Sequence, residues 1–367
     1  MKGKLILEDG TCFEGKLLNE AQIVGEVVCN IGVVGYQEVI TDPTNCNNIV
    51  VFTYPLIGNY GIAEKFNESE ESYPAGIVIG ELCAVPNNWQ MEMTFKDYIT
   101  KKNLLCLYDV DTRALTKYIR EKGDMQGVIV PEKTSENLIK DLLTIELSNH
   151  SIKKVTSAKN SKFHQKGPHL VIIDLGIKNS VLQSLVDFGF NITVVPAFTN
   201  AQEMLKLKPD GIFLSHGPEN PNDSLELLDI AKKLIVSGKP IFALGAGLIL
   251  ISLALEIVAY KMKFGHRSGS HPVRDLMTGR IYNTAQNHGY AIDESSINQN
   301  EVIITHRSAN DNTIEGFRHK TKPIYLMHFY PVTELGPDDN SYLLKEFFKE
   351  VRKEAKKNKG GNLNAIK

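Results

Sequence analysis

Apolar residues recur along the chain in two different rhythms. Up to about residue 150 they form short β-type runs, Lys4–Leu7, Val24–Asn30, Ile49–Tyr54 and Gly76–Leu82, broken by Gly32, Gly35, Pro43, Pro55, Gly58 and Gly61. That pattern predicts a β-rich domain with a few helices. One helix is expected after Asp111 and Thr112, whose side chains can cap it, because Leu115, Tyr118 and Ile119 then recur at helical spacing.

Further on, the strand-like runs LVIIDLG (Leu170–Gly176), ITVVPA (Ile192–Ala197), GIFLSHG (Gly211–Gly217) and PIFALG (Pro240–Gly245) alternate with helical patterns. The helices are expected near Asn179–Phe188, Ala201–Leu207, Ser224–Val236 and Leu248–Leu255. Runs apolar on both faces, each followed by a crossover helix, predict an α/β domain whose mostly parallel sheet is wrapped by helices. Strand-like segments at Arg280–Ala285, Val302–His306 and Pro323–Phe329 precede a charged helix from about Ser341. The expected limits are a first domain over 1–150, a polar, basic linker over 151–167 (SIKKVTSAKNSKFHQKG), a second domain over 168–355 and a solvated basic tail over 356–367.

Composition narrows the function classes. With 367 residues, 42% hydrophobic and 23% charged, the chain can bury two cores, which excludes a disordered chain or a small disulfide scaffold. A balance of 41 basic against 43 acidic side chains gives a formal charge of −2, so no global field favours nucleic acid or an anionic membrane. Cys12, Cys29, Cys46, Cys83 and Cys106 form no CxxC pair and read as free thiols in a reducing compartment; all precede the second domain, which therefore has no cysteine chemistry of its own. The opening MKGKLILEDGTCFEG reaches Glu8 and Asp9 before a signal-peptide core can form, and no apolar run is long enough to span a bilayer. The expectation is a cytoplasmic protein with neither nucleic acid nor membrane as partner.

The blocks LEDGTCFEG, VGEVVCNIGVVGYQEVITDP, VFTYPLIGNYG, GELCAVPNNW and DTRALTKYIREKGDMQGVI resemble the amino-terminal domain of carbamoyl-phosphate synthetase small subunits. The resemblance continues through IIDLGIKNSVLQSLVDFGF, PDGIFLSHGPENP, KFGHRSGSHPVRDLMTGRIYNTAQNHGYAID and GPDDNSYLLKEFF. It implies that the second domain resembles a class I glutamine amidotransferase, in which cysteine, histidine and glutamate release ammonia from glutamine. A large subunit would then use that ammonia with ATP and bicarbonate.

Position by position, the chemistry departs from that pattern. A strand, tight turn and helix present a nucleophile, and PIFALGAGLILISLALE has this form. The family reads Pro-x-Phe-Gly-Ile-Cys-Leu-Gly-His-Gln here, and Pro240, Phe242 and Gly247 set the register, so the cysteine position is Gly245. The neighbours that help shape the glutamine pocket become Ala246, Leu248 and Ile249. A dinucleotide fingerprint starting at Gly245 would need a third glycine where Leu250 stands. In HFYPVTELGP, aligned on Pro331, Gly336 and Pro337 with the family's Tyr-His-Pro-Glu-Ala-Ser-Pro-Gly-Pro, Tyr330 replaces the histidine and Val332 the glutamate. His328 and Glu334 lie close by and read as a packed histidine and a solvated carboxylate. In SHGPENP the family's first glycine is kept as Gly217, but Glu219 replaces the second, placing a carboxylate where acyl transfer develops negative charge.

What remains of the glutamine pocket is Asn287, Gly289 and Tyr290 in QNHGY, with Thr44 at the position of a serine from the first domain; a structural role for these survivors stays open. His266 and His271 bracket a Gly/Ser-rich turn without zinc-type spacing, so no metal site is expected. Trp89 reads as a packing anchor or an interface residue. Triad deletions cost hydrolases about 10⁶ in kcat, which would reduce about 10 s⁻¹ to about 10⁻⁵ s⁻¹. The leading expectation is therefore a glutaminase-dead small subunit, without a cofactor of its own, organising a large subunit that carries ATP and a divalent metal and makes carbamoyl phosphate from ammonia for arginine and pyrimidine synthesis. The alternatives are a stand-alone metabolite-binding regulator and an active glutamine-hydrolysing subunit.

Overall fold

The structure, a computed structural model, describes residues 1–147, 150–330 and 341–361. The chain folds into two compact units: Met1–Ser151 with Met262–Gly269, and Ile152–Lys261 with Ser270–Lys367. No helix among the described residues is long and apolar enough to cross a membrane.

Unit one is built on a closed barrel of seven strands. In order around it run Lys2–Leu7, Cys12–Leu17, Leu105–Tyr108, Gly76–Val78, Asn48–Phe52, Ile23–Asn30 and Met125–Pro131. Alternation explains the continuous apolar runs. In Asn48–Phe52, Ile49 and Val51 face one core cluster while Val50 and Phe52 face another, so both faces are covered. The run read as a single strand over Gly76–Leu82 is two, Gly76–Val78 and Glu81–Leu82. Helix Thr112–Lys122 starts where Asp111 accepts a hydrogen bond from the Ala114 N–H at 2.8 Å, and it buries Leu115 and Ile119. All five cysteines are free thiols in this unit; burial pushes Cys29 up to about 12.

Met262–Gly269 belongs to a long strand, Ala259–Asp275, so the turn expected between His266 and His271 is extended backbone. Backbone bonds from Asp124 N–H to Lys263 O and from Ile31 N–H to Arg267 O tie it to unit one, together with a buried ion pair. Arg267 Nη1 lies 2.7 Å from Asp124 Oδ2, with side chains only 7% and 1% exposed. Burial raises the Asp124 carboxyl, and the Arg267 guanidinium draws it partly back.

Unit two contains a ten-stranded sheet. Its centre, Asn191–Pro196, His169–Asp174, Gly211–Leu214, Ile241–Leu244 and Ile324–Met327, is parallel; Ile314–His319 and Val302–Ser308 continue it antiparallel. Ile241 and Ala243 face one core, Phe242 and Leu244 the other. Phe213 and Phe242 stack at 5.7 Å, and helix Ser341–Gly361 seals that face with Leu344, Phe347 and Val351.

Two expectations about the joining segments are corrected. The stretch 151–167 is not a bare linker. Ser151–Val155 is helical, with Ile152 and Val155 buried, and Ser161–Phe163 pairs antiparallel with Asn191–Pro196. Two apolar residues on one helical face are enough to dock the helix, and a lysine- and serine-bearing strand suits a sheet edge. The basic tail is helical as far as Gly361, anchored where Asn358 Nδ2 donates to Asp210 Oδ1 at 2.9 Å; residues 362–367 lie outside the described residues.

A hydrogen-bonded relay fastens that last helix to the sheet. Tyr342 Oη donates to Asp275 Oδ2 at 3.0 Å, so it accepts from His306 Nε2 at 2.9 Å, and His306 Nδ1 accepts from Thr305 Oγ1 at 2.9 Å. Burial lowers the His306 pKa to about 4, so the imidazole is neutral and its Nδ1 is the acceptor in the pair with Thr305.

Two measurements test these contacts. Arg267→Met should cost about 3–5 kcal/mol in denaturant unfolding because it strands the Asp124 charge, and adding Asp124→Leu should recover a large part of the loss. The unfolded chain protonates His306 near its ordinary pKa while the folded chain resists, so stability should fall by ~3 kcal/mol as pH drops from about 6.5 to 4. His319 and His328 are lowered by burial in the same sense. Melting curves across that range should be flatter for His306→Gln than for the parent.

Candidate functional site

The strand Ile241–Leu244 ends at Gly245, whose backbone (φ 47°, ψ −110°) is a region that residues with a Cβ rarely adopt. Helix Ala246–Ala254 starts immediately after it. A helix apolar on every side must be buried, and Ala246 through Ser252 all are. Such close burial needs missing side chains: a Cβ on Gly247 would come within 2.7 Å of Leu214 Cβ, and one on Gly217 would overlap the Leu175 carbonyl. The Gly245 N–H donates to Met327 O at 3.0 Å and the Gly247 N–H to Ser215 O at 3.2 Å.

Two side chains crowd the elbow. A Cβ on Gly245 would lie 3.0 Å from Glu219 Oε1 and 3.2 Å from His216 Cβ. Glu219 Oε2 accepts the Gly289 N–H at 3.2 Å, which couples the Ser215–Pro221 segment to the strand Ile281–Ile292. His216 Nε2 accepts the Lys178 N–H at 3.1 Å, and its ring meets Tyr330 edge-on with centroids 4.9 Å apart. Lys178 is buried, and its Nζ lies 4.4 Å from the Tyr330 ring centroid, a cation–π contact. Tyr330 is thus a phenol ring packed by a cation and an imidazole edge. It offers no ring nitrogen to accept a proton.

Behind Glu219 lies a second group. His328, just past the strand Ile324–Met327, is fully buried and stacks on His288 with centroids 4.4 Å apart and planes at 17°. His328 Nδ1 is 3.8 Å from Glu219 Oε1, too long for a hydrogen bond. Neither ring nitrogen of His328 has a hydrogen-bond partner among the described residues. Burial first, then the neighbouring His288, lowers the His328 pKa, so its ring is neutral. His288 Nδ1 donates to Tyr290 O at 2.9 Å, and Nε2 faces Gln286 Oε1 at 3.0 Å and Glu315 Oε2 at 3.4 Å. Glu219, His288 and His328 bring one ligand atom each within 4.8 Å of one another.

The positions singled out in the sequence divide accordingly. Glu219 lies against Gly245 and accepts from Gly289, while Gly217 packs on the Leu175 carbonyl. Ala246, Leu248 and Ile249 are buried in the sheet-facing core. Asn287 and Tyr290 are half-buried on the strand Ile281–Ile292, and Thr44 is buried in unit one, its N–H donating to Asp42 Oδ1 at 2.9 Å. Val332 and Glu334 lie outside the described residues. Reading by motif missed Lys178, His216, His288 and Glu315. Lys178, His216 and His288 sit inside the quoted blocks IIDLGIKNSVLQSLVDFGF, SHGPENP and QNHGY and could have been found there; buried Glu315 carried no such signal.

Two family descriptions match the chain: "Carbamoyl-phosphate synthase small chain, CPSase domain" over residues 5–129 and "Glutamine amidotransferase class-I" over residues 171–350. The carbamoyl phosphate synthase small chain of Streptococcus mutans is 43% identical over 353 residues, covering 95% of this chain and 97% of its own. That of Fusobacterium nucleatum is 40% identical over 350 residues, covering 95% and 98%. The pyrimidine-specific small chain of Bacillus subtilis is 40% identical over 354 residues, covering 96% of each. With both domains matched in one order and relatives aligned along nearly their whole length, the chain belongs to the carbamoyl phosphate synthase small-chain family.

Proposed function

We propose that this chain is a cytoplasmic small chain that has lost glutamine hydrolysis and serves to organise a large chain making carbamoyl phosphate from ammonia, bicarbonate and ATP. The partner would hold the nucleotide and its metal, and the product would supply arginine and pyrimidine synthesis. The observation that carries this reading is Gly245: the strand, turn and helix that would present a nucleophile present no side chain. Glu219 beside it opposes an oxyanion, and Tyr330 supplies no imidazole. The rival metabolite sensor would draw its pocket lining from Ala246, Leu248 and Ile249, and these are spent on the core.

The direct test combines the full chain with a large chain, ATP and bicarbonate and compares carbamoyl phosphate formed from glutamine with that formed from ammonium. Ammonium-dependent synthesis that rises when this chain is added is the expected result. Glutamine-driven synthesis would overturn the reading of Gly245, and no effect with either nitrogen source would favour a stand-alone regulator.

Restoring the thiol alone should not restore hydrolysis. Gly245→Cys forces a side chain into a positive-φ position at a cost of about 1–3 kcal/mol, so Tm should drop by about 2–10 °C. Glutamate release from glutamine should stay at background in the same variant.

A further inference from the structure

We propose that Glu219, His288 and His328 form a binding site for one divalent transition ion, zinc being the best match, beside the elbow at Gly245. Two imidazoles and a carboxylate, all buried, have ligand atoms within 4.8 Å of one another. This donor set suits zinc and cobalt and is too rich in nitrogen for magnesium or calcium.

Three features of the surroundings support the assignment. First, His328 is a fully buried imidazole with neither nitrogen hydrogen-bonded among the described residues, and buried polar groups in folded proteins are rarely left so. Second, the His288 edge calls for positive charge. Thr284 Oγ1 donates to His271 O at 2.8 Å, so it accepts from Gln286 Nε2 at 3.0 Å, which turns Gln286 Oε1 towards His288 Nε2. With Glu315 Oε2 also 3.4 Å away, Nε2 faces two acceptors while Nδ1 donates to the Tyr290 carbonyl. A metal-bound histidine is held in the same way, its second nitrogen donating to a backbone carbonyl. Third, two buried carboxylates lie beside the imidazoles, Glu315 Oε2 3.4 Å from His288 Nε2 and Glu219 Oε1 3.8 Å from His328 Nδ1.

The rings are stacked, so their in-plane lone pairs do not converge as they stand. His328 must turn about its side-chain bonds, and with no hydrogen bond holding either nitrogen, the turn breaks none. Three protein ligands leave a fourth coordination position open. The ion would clamp the Ser215–Pro221 segment, the strand Ile281–Ile292 and the end of the strand Ile324–Met327 to one another. Glu219, from the Ser215–Pro221 segment, would supply its carboxylate.

The full chain, stripped of metal with a chelator, should be titrated with zinc by calorimetry and with cobalt by visible absorption. Binding of one zinc per chain, a rise in Tm that chelator reverses, and cobalt d–d bands of a low-coordinate site are expected. His328→Gln and Glu219→Gln should each weaken zinc by more than about 100-fold, beyond the loss from removing an outer partner, while exposed His164→Gln should not. Unchanged affinity in His328→Gln or Glu219→Gln would overturn the proposal. So would absence of cobalt bands in the parent, a result that stands even where a variant fails to fold. None of these readouts depends on whether the chain supports carbamoyl phosphate synthesis.

Discussion

A helix with no polar face has only one place to go, and unit two is arranged around that constraint. Ala246–Ala254 must lie inside, against the strand that precedes it, and such an approach leaves no room for a Cβ at 217 or 247. The turn between strand and helix must then enter a backbone region that favours glycine. A residue with a Cβ would be strained there; glycine holds the same turn almost without strain. Motifs that look catalytic can thus be kept by packing alone, and Gly217 and Gly247 are explained without reference to glutamine.

Electrostatics makes the same distinction between scaffold and chemistry. Unit one carries one closely matched buried pair, Asp124 with Arg267, that fixes a returning segment of chain. Unit two sets one group of buried polar side chains around the elbow: Lys178 on Tyr330, His216 between Lys178 and Tyr330, Glu219 on the Gly289 N–H, and His288 between Tyr290 and Glu315. Burying so many polar groups is expensive in any interior. Their gathering beside Gly245 makes this region a polar pocket whose groups are held mainly by one another.

The periodic parts of this fold were readable from residues alone. The alternation in Asn48–Phe52 and Ile241–Leu244, the Asp111 cap and the register set by Pro240, Phe242 and Gly247 are local properties, so the strands, the helix after Asp111 and the elbow at Gly245 could be placed. What failed was non-local. Ile152 and Val155 look unremarkable in a lysine-rich stretch until a core is there to receive them. Met262–Gly269 returns to unit one through contacts such as Arg267 with Asp124, a pairing that no window of sequence contains. Glu219, His288 and His328 come from three separate segments, so no spacing rule could group them, and His328 by itself read as a packed side chain.

That returning segment has a bearing on how the molecule is made. Unit one is not a continuous stretch of chain: its last piece, Met262–Gly269, is translated after much of unit two. As the chain emerges from its amino terminus, the barrel can close early, but Asp124 waits for Arg267 until the middle of the second unit has left the ribosome. The two units are therefore tied in order of synthesis, and neither is complete before the other has begun.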